Sequence, residues 1–239
     1  MTGLFILIMG FLLGMKHATE ADHLAAVATL VTRQNPLAQT MHQGIAWGIG
    51  HTLTLMLFGG IVLALGTSLP EHMAQGLELA VGLMLVALGA DVLRRLVRKR
   101  IHFHIHSHEG SAKHVHAHSH VGEGAHRYSL HRHTHRKKLP LRALTVGMMH
   151  GMAGSAALIL LSLGAVQSFS MELLYIVLFG VGSIAGMALL SVAIAIPLRF
   201  SADYPGWLHN GVIAVVGGLS CVLGAIVVYQ VGFVERLLL

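Results

Sequence analysis

The stretch GMKHATEADHLAAV, residues 14–27, decides how this chain can fold. It lies inside an apolar run long enough to cross a membrane, yet eight consecutive residues carry five ionisable side chains. These are Lys16, His17, Glu20, Asp22 and His23. Each ionisable group near the centre of a bilayer costs roughly 2.5–3.5 kcal/mol on insertion scales. Because the sequence accepts this cost several times in one place, we expect these groups to form a functional site.

The composition around this stretch is that of a membrane protein. Of the 239 residues, 54% are hydrophobic and 11% are charged, whereas soluble domains average about 25% charged residues. The formal net charge of +6 does not indicate a nucleic-acid partner, because the positive charge is concentrated in one segment beside apolar runs. Cys221, the single cysteine, cannot form an intramolecular disulfide and is expected to pack in an apolar segment.

Six apolar segments are each long enough to cross a bilayer, which takes about 20 residues. The sequence therefore predicts an all-α integral membrane protein. The predicted transmembrane helices cover about 3–31, 44–66, 74–96, 141–166, 172–198 and 208–232. The first is long for one helix and carries the ionisable stretch, so we expect it to be tilted or broken there.

A polar segment, residues 99–139, separates two predicted three-helix membrane domains, 1–98 and 140–239. Histidine alternates with small residues in it, a composition typical of weak and exchangeable binding of divalent metal ions. The predicted ligands here are His102, His104, His106, His108, His114, His116, His118 and His120. The segment has too few apolar groups to fold alone. A solvated basic loop without a metal-binding role is the alternative.

Lysine and arginine predict the orientation of the chain. Most of them lie between Arg94 and Arg142, so the positive-inside rule places this histidine-rich segment on the cytoplasmic side. With six spans, both termini then lie on the extracytoplasmic side.

The two predicted membrane domains share a weak internal repeat. Residues 14–17 (GMKH) resemble 147–150 (GMMH), and residues 48–51 (GIGH) resemble 180–183 (GVGS). Three spans per domain is an odd number, so the two domains would insert with opposite orientation as a 3+3 inverted repeat. Transporters commonly use such repeats, with the substrate site near the bilayer midplane where the repeats meet. Chance similarity among glycine-rich apolar helices is the alternative.

Imidazole and carboxylate groups within the spans indicate a site for a first-row divalent metal ion. The candidate ligands are His17, Glu20, Asp22, His23, His51 and His150. On a continuous helix at about 100° per residue, His17, Glu20 and His23 share one face and Asp22 points away from it. An unwound turn would bring Asp22 into the site, so both geometries stay open. A lone histidine in a span can also serve only as a hydrogen-bonding residue between helices.

Residues 17–23, HATEADH, match the H-x4-D-H motif of the nickel/cobalt transporter (NiCoT) family, including the preceding basic residue and the acid three positions after the first histidine. Residues 50–52, GHT, resemble the family's G-H-[ST] element. Residues 149–155 resemble the shorter UreH-like branch, described as urease accessory membrane proteins. The resemblance implies transport of a transition metal. The site residues that it implies are His17, Asp22, His23 and His51.

The expected function is therefore that of a permease for nickel or cobalt ions in a bacterial inner membrane, and not of an enzyme. The metal ion is its substrate, and no permanently bound cofactor is expected. Uptake is favoured over efflux, because the UreH-like resemblance points to nickel supply. Expected partners are the bilayer and cytoplasmic nickel chaperones or metalloenzyme maturation proteins. Alternatives are an efflux protein, or a membrane-anchored metal chaperone or sensor that acts through the histidine-rich segment.

Overall fold

The computed structural model of this chain is built almost entirely from α-helices. It describes residues 3–32, 36–65, 70–98, 102–106, 114–118, 140–162, 169–235 and 237. The helices are α1 (Gly3–His17), α2 (Ala21–Val31), α3 (Leu37–Leu65), α4 (Glu71–Arg98), α5 (Leu141–Ser162), α6 (Phe169–Phe200) and α7 (Gly206–Tyr229). A 3₁₀ turn (Ser201–Asp203) follows α6, and a π turn (Gln230–Val234) follows α7.

Several of these helices can cross a membrane. Among the described residues, four segments are long and apolar enough to do so: Leu37–Ile61, Glu71–Arg98, Ser170–Phe200 and Gly206–Val234. Two shorter apolar helices, Leu7–His17 and Ala21–Val31, lie at the start of the chain. The predicted all-α membrane protein with multiple spans is thus confirmed. The number of six spans, the 3+3 arrangement and the two domain boundaries remain predictions.

The first predicted span is broken at the ionisable stretch. After α1 the chain makes a turn, in which the Thr19 N–H donates to the Lys16 carbonyl at 2.9 Å and the Glu20 N–H to the His17 carbonyl at 3.1 Å. Glu20 has an extended backbone (φ −63°, ψ 150°), and its carbonyl accepts from Leu24 N–H at 2.9 Å as the first bond of α2. Of the two geometries that the sequence allows, the structure has the broken helix.

Helices α1 and α6 run parallel in close contact, since Gly10 lies against Tyr175 near the start of both and Gly186 lies against Ala18 further along. A Cβ added at Gly14 would collide with the carbonyl oxygen of Phe179, and one added at Gly182 would collide with that of Phe11. Small residues at such positions let two backbones approach closely within a membrane.

Helices α3 and α5 pack in the same way. A Cβ at Gly50 would collide with the carbonyl oxygen of Leu144, and a Cβ at Gly147 would collide with that of Trp47. The helices of residues 1–98 therefore pack closely on those of residues 140–239.

Helices α3 and α6 run in opposite directions where they cross. Gly48 lies against Ile184, and four residues further along α3 Thr52 lies against Gly180. The Thr52 hydroxyl donates to the Gly180 carbonyl at 3.2 Å. One turn before Gly48, Gly44 lies against Met187 and Ser191, so the contact covers residues 44–52 of α3 and 180–191 of α6.

Helix α7 packs on α4 where Gly89 lies against Gly217. Near the two ends of α7, Trp207 and Tyr229 are 73% and 62% exposed. At 1.5 Å per residue, the distance between them along the helix is about 33 Å, close to the roughly 30 Å of a bilayer core. Tryptophan and tyrosine are enriched at both membrane interfaces, so this spacing suits a helix that crosses the membrane.

Two short strands lie within the histidine-rich segment. β1 (His102–His106) pairs antiparallel with β2 (His114–His118), with His102 opposite His118, His104 opposite His116 and His106 opposite His114. The sequence predicted no fold for this segment, and the structure gives these two stretches paired backbones. An isolated two-stranded hairpin is only marginally stable in water. Of the predicted ligands, His108 and His120 lie outside the described residues, and metal binding by the segment remains a prediction.

The interior of the helix bundle is mostly apolar, with buried serine and threonine hydroxyls and a group of buried histidines. The most completely buried large side chains include Trp47, Phe179, Leu85, Met187, His23, His51 and His150. A buried imidazole needs a partner, because burying a polar group without a hydrogen bond is costly. These buried histidines therefore form the candidate functional site.

Candidate metal site

Four of the predicted histidines meet inside the bundle. His17 ends α1, His23 lies in the first turn of α2, His51 is in the middle of α3, and His150 is in α5. Ring centroids lie 4.4 Å apart for His17 and His23, 4.2 Å for His23 and His150, and 5.2 Å for His23 and His51. All four residues are buried, with exposed fractions between 0% and 8%. We call these four residues the histidine cluster.

Two carboxylates hold rings of the cluster in place. Glu20 Oε1 lies 2.9 Å from His17 Nδ1. Asp22 bridges two other rings, with Oδ1 2.9 Å from His23 Nδ1 and Oδ2 2.8 Å from His150 Nε2. The Asp22 side chain reaches both because α2 starts afresh after the break, and its Oδ1 also accepts the His23 N–H at 2.8 Å. Of the two predicted carboxylates, Asp22 therefore joins α2 to α5.

Five ring nitrogen atoms of the histidine cluster are buried and have no hydrogen-bond partner among the described residues. They are His17 Nε2, His23 Nε2, His150 Nδ1 and both ring nitrogens of His51. Buried polar atoms are nearly always hydrogen-bonded, and an exception in a native fold points to a water or an ion. Neutral imidazole nitrogen is the commonest metal ligand that proteins offer.

The described ligand atoms form two overlapping sets that could hold a metal ion. One set is His17, His23 and His51, and the other is Asp22, His23 and His150. Within each set the ligand atoms lie within 4.8 Å of one another. Carboxylates bonded to the far side of histidine rings are the usual outer partners of a metal site, because they fix ring orientation and raise ligand basicity. All six predicted intramembrane residues thus lie in one place.

Two aromatic residues beside the cluster were not predicted as part of the site. The Trp47 ring lies 5.6 Å from that of His23 and 5.9 Å from that of His150. The Phe179 ring lies 5.4 Å from that of His17. The internal repeat carries the signal that could have found them, because each aromatic directly precedes a repeated motif: WGIGH at 47–51 and FGVGS at 179–183.

Known proteins resemble this chain over nearly its whole length. The NicO family, described as high-affinity nickel-transport protein, matches residues 3–239. A protein of Bacillus sp. (strain TB-90) named urease accessory protein UreH is 36% identical over 240 residues, which cover 98% of this chain and 95% of the relative. No solved structure matches the chain.

Proposed function

Because the chain belongs to the NicO family of high-affinity nickel-transport proteins, we propose that it is a permease that carries nickel ions through the histidine cluster and works in uptake. Membership makes the chain a membrane transporter of nickel and not an enzyme. The ligands, the direction of transport and the orientation in the membrane are the proposal.

The unpartnered ring nitrogens of the histidine cluster are the observation that carries this proposal. His17, His23 and His51 bind the ion through these atoms, while Glu20 and Asp22 orient the rings from behind. Imidazole suits nickel among the first-row metals. Without an ion, each of these three rings would keep a buried nitrogen atom that has no partner among the described residues.

Two overlapping ligand sets suit a carrier better than a permanent metal site. An ion bound by the first set can move to the set of Asp22, His23 and His150 while it keeps His23 as a ligand, and in that step Asp22 changes from an outer partner to a ligand. Transport requires that binding be strong enough for entry and weak enough for release. The same ligands accept cobalt, which binds such sites more weakly than nickel in the usual order of affinities. We therefore expect cobalt to compete weakly with nickel.

Uptake and orientation follow from two further considerations. The relative in Bacillus is named a urease accessory protein, and supplying nickel to a metalloenzyme in the cell requires import. The positive-inside rule places the histidine-rich segment in the cytoplasm of a bacterium, with both termini outside. There the segment would hand imported nickel to cytoplasmic chaperones or maturation proteins.

An inverted repeat of three spans each is part of the proposal. The helix contacts support it. An offset of 132 or 133 residues aligns the repeated motifs, and when the same offset is applied to both residues of one contact, another observed contact results. The contacts related in this way are Gly14–Phe179 with Gly147–Trp47, and Gly50–Leu144 with Gly182–Phe11. Such a repeat places the substrate site at the junction of the two halves, where the histidine cluster lies.

Nickel flux into proteoliposomes tests the proposed function. Radioactive nickel uptake is compared for the native chain, His17→Ala, His23→Ala and, as a control, His72→Ala, which removes an exposed histidine at the start of α4. We expect the two cluster variants to lose at least about 90% of the flux and the control to keep it. If folded cluster variants carried nickel as fast as the native chain, the proposed site would be wrong. If, in proteoliposomes of known protein orientation, the native chain carried nickel only from the side of the histidine-rich segment to the side of the termini, uptake would be wrong.

A further inference from the structure

Two aromatic side chains close the histidine cluster from opposite directions. We propose that Trp47 and Phe179 are the two gates of the nickel path. Trp47 closes the path toward the membrane face at which α3 begins, and Phe179 closes it toward the face at which α6 begins. This inference rests on the proposed function, because it takes the path to run through the cluster.

Both aromatics are buried directly against the proposed ligands. Trp47 is 0% exposed and packs on the rings of His23 and His150, the latter nearly at a right angle (89°). Phe179 is 2% exposed and packs on the ring of His17. An ion held by the cluster would therefore meet an indole on one side and a phenyl ring on the other.

The directions of α3 and α6 place the two rings at different depths. The helices run antiparallel, with Gly48 against Ile184 and Thr52 against Gly180. On this alignment Trp47 lies level with residue 185 and Phe179 lies level with residue 53, so six residues, or about 9 Å along the axis, separate the two aromatics. The level of His51 lies between them, with Trp47 toward the start of α3 and Phe179 toward the start of α6.

Polar residues lie one helical turn beyond each aromatic on the same face of its helix. On α3 this residue is Gln43, whose buried Oε1 has no hydrogen-bond partner among the described residues. On α6 it is Tyr175, which is 9% exposed. Residues four apart on a helix are neighbours on its surface. Each gate thus separates the cluster from a polar oxygen that can coordinate an arriving or leaving ion.

In the structure both aromatics pack against the cluster, whose four histidines are buried. Opening Trp47 alone exposes the cluster to one membrane face, and opening Phe179 alone exposes it to the other. Alternating access around a fixed site needs this pair of gates, and inverted repeats supply them as equivalent positions in the two halves.

Cysteine labelling measures gating without relying on transport. Ser183 is 0% exposed, lies four residues after Phe179 and donates to the Gly14 carbonyl at 3.2 Å. We place a Ser183→Cys reporter in a Cys221→Ser background, so that the reporter is the only thiol. A membrane-impermeant maleimide is then added from one face at a time. In a separate chain, Gln39→Cys, exposed near the start of α3, identifies the face at which α3 begins.

We expect slow labelling from both faces when both gates are intact. Trp47→Ala should raise the rate at least about tenfold from the face at which α3 begins and leave the other face unchanged. Phe179→Ala should do the reverse. Trp207→Ala and Phe200→Ala remove aromatics that are 73% and 63% exposed, and they should change neither rate.

An equal increase from both faces, or no increase in a folded variant, would overturn the gates. If an alanine variant does not elute as a folded protein, the leucine variant at the same position decides by the same criterion. Labelling of the reporter does not depend on nickel flux, so either proposal can be refuted without the other. One-sided labelling in a chain that carries no nickel refutes the proposed function alone, and nickel flux with no one-sided labelling refutes the gates alone.

Discussion

Asp22 marks the limit of sequence reasoning for a single residue. The H-x4-D-H pattern singles it out, but on a continuous helix it would point away from His17 and His23. Its place in the site depends on the turn between α1 and α2, which resets the helix before Asp22. No residue in this turn is a glycine or proline, so a break was expected only from the length of the apolar run and its ionisable groups, and the residue at which α2 begins was not predictable. The histidines were predictable because a buried imidazole in a span is unusual in itself.

Asp22→Asn should weaken nickel binding about 10- to 100-fold, the usual effect of losing an outer partner of metal-bound histidines. The asparagine keeps the shape but loses the charge that holds His23 and His150. Glu20→Gln should have a smaller effect, because Glu20 is 56% exposed and its pair with His17 is screened by solvent. Equilibrium dialysis of nickel with the purified protein measures both affinities.

Glu71→Gln, at an exposed acid in the first turn of α4, serves as the control for the loss of one negative charge. It should bind nickel like the native chain. The role given to Asp22 would be refuted if Asp22→Asn also bound nickel like the native chain.

At the scale of helices, hydropathy locates the spans but not their ends. The second predicted span begins at 44, whereas α3 begins at Leu37, because its first two turns are polar and still helical. Similarly, the third and fifth predicted spans fall short of α4 and α6 at both ends. Apolar residues mark the part of a helix that can lie in lipid. The helix itself continues as long as its backbone hydrogen bonds do. Which helices touch was not predictable from hydropathy, because contacts are set by glycine positions.

Gly182→Ala should destabilise the protein because the added Cβ would collide with the carbonyl oxygen of Phe11. Backbone atoms cannot move aside without separating α1 from α6. Gly60→Ala is the matched control, since nothing lies within 4 Å of its added Cβ. Removing a glycine from a helix interior favours the helix by up to about 1 kcal/mol, so the control should be at least as stable as the native chain.

Thermal unfolding in detergent, followed as the loss of monodisperse protein, compares the two variants with the native chain. We expect a lower midpoint for Gly182→Ala only. Equal midpoints for both alanine variants would mean that the α1–α6 contact does not limit stability.

At the scale of the whole molecule, the two halves are interlocked. α1 packs on α6, α3 packs on α5 and α6, and α4 packs on α7, so the closest partners of these helices lie in the other half of the chain. A further bond joins the halves at the ends next to the histidine-rich segment, where Arg142 Nη2 donates to Asp91 Oδ2 at 2.7 Å. The sequence predicts a repeat but not this exchange of partners, since two repeats can also fold side by side.

The two halves should not fold when they are produced separately, but they should fold and assemble when they are produced together. Residues 1–98 or 140–239 produced alone would expose to lipid the glycine faces and the buried histidines that the other half covers, so each should aggregate or be degraded. Produced together as two chains, they should assemble and bind nickel, because the contacts of the site do not require a covalent link. Co-purification of one half through a tag on the other measures assembly, and dialysis measures binding.

The same pair of chains lacks residues 99–139 and therefore tests what the histidine-rich segment contributes. If the cluster alone is the transport site, the assembled halves should carry nickel in proteoliposomes within about threefold of the native rate. An intact chain with a glycine-serine linker of equal length in place of 99–139 separates the effect of the cut from that of the lost histidines. Loss of flux in both, with nickel still bound at the cluster, would make the segment part of the transport step.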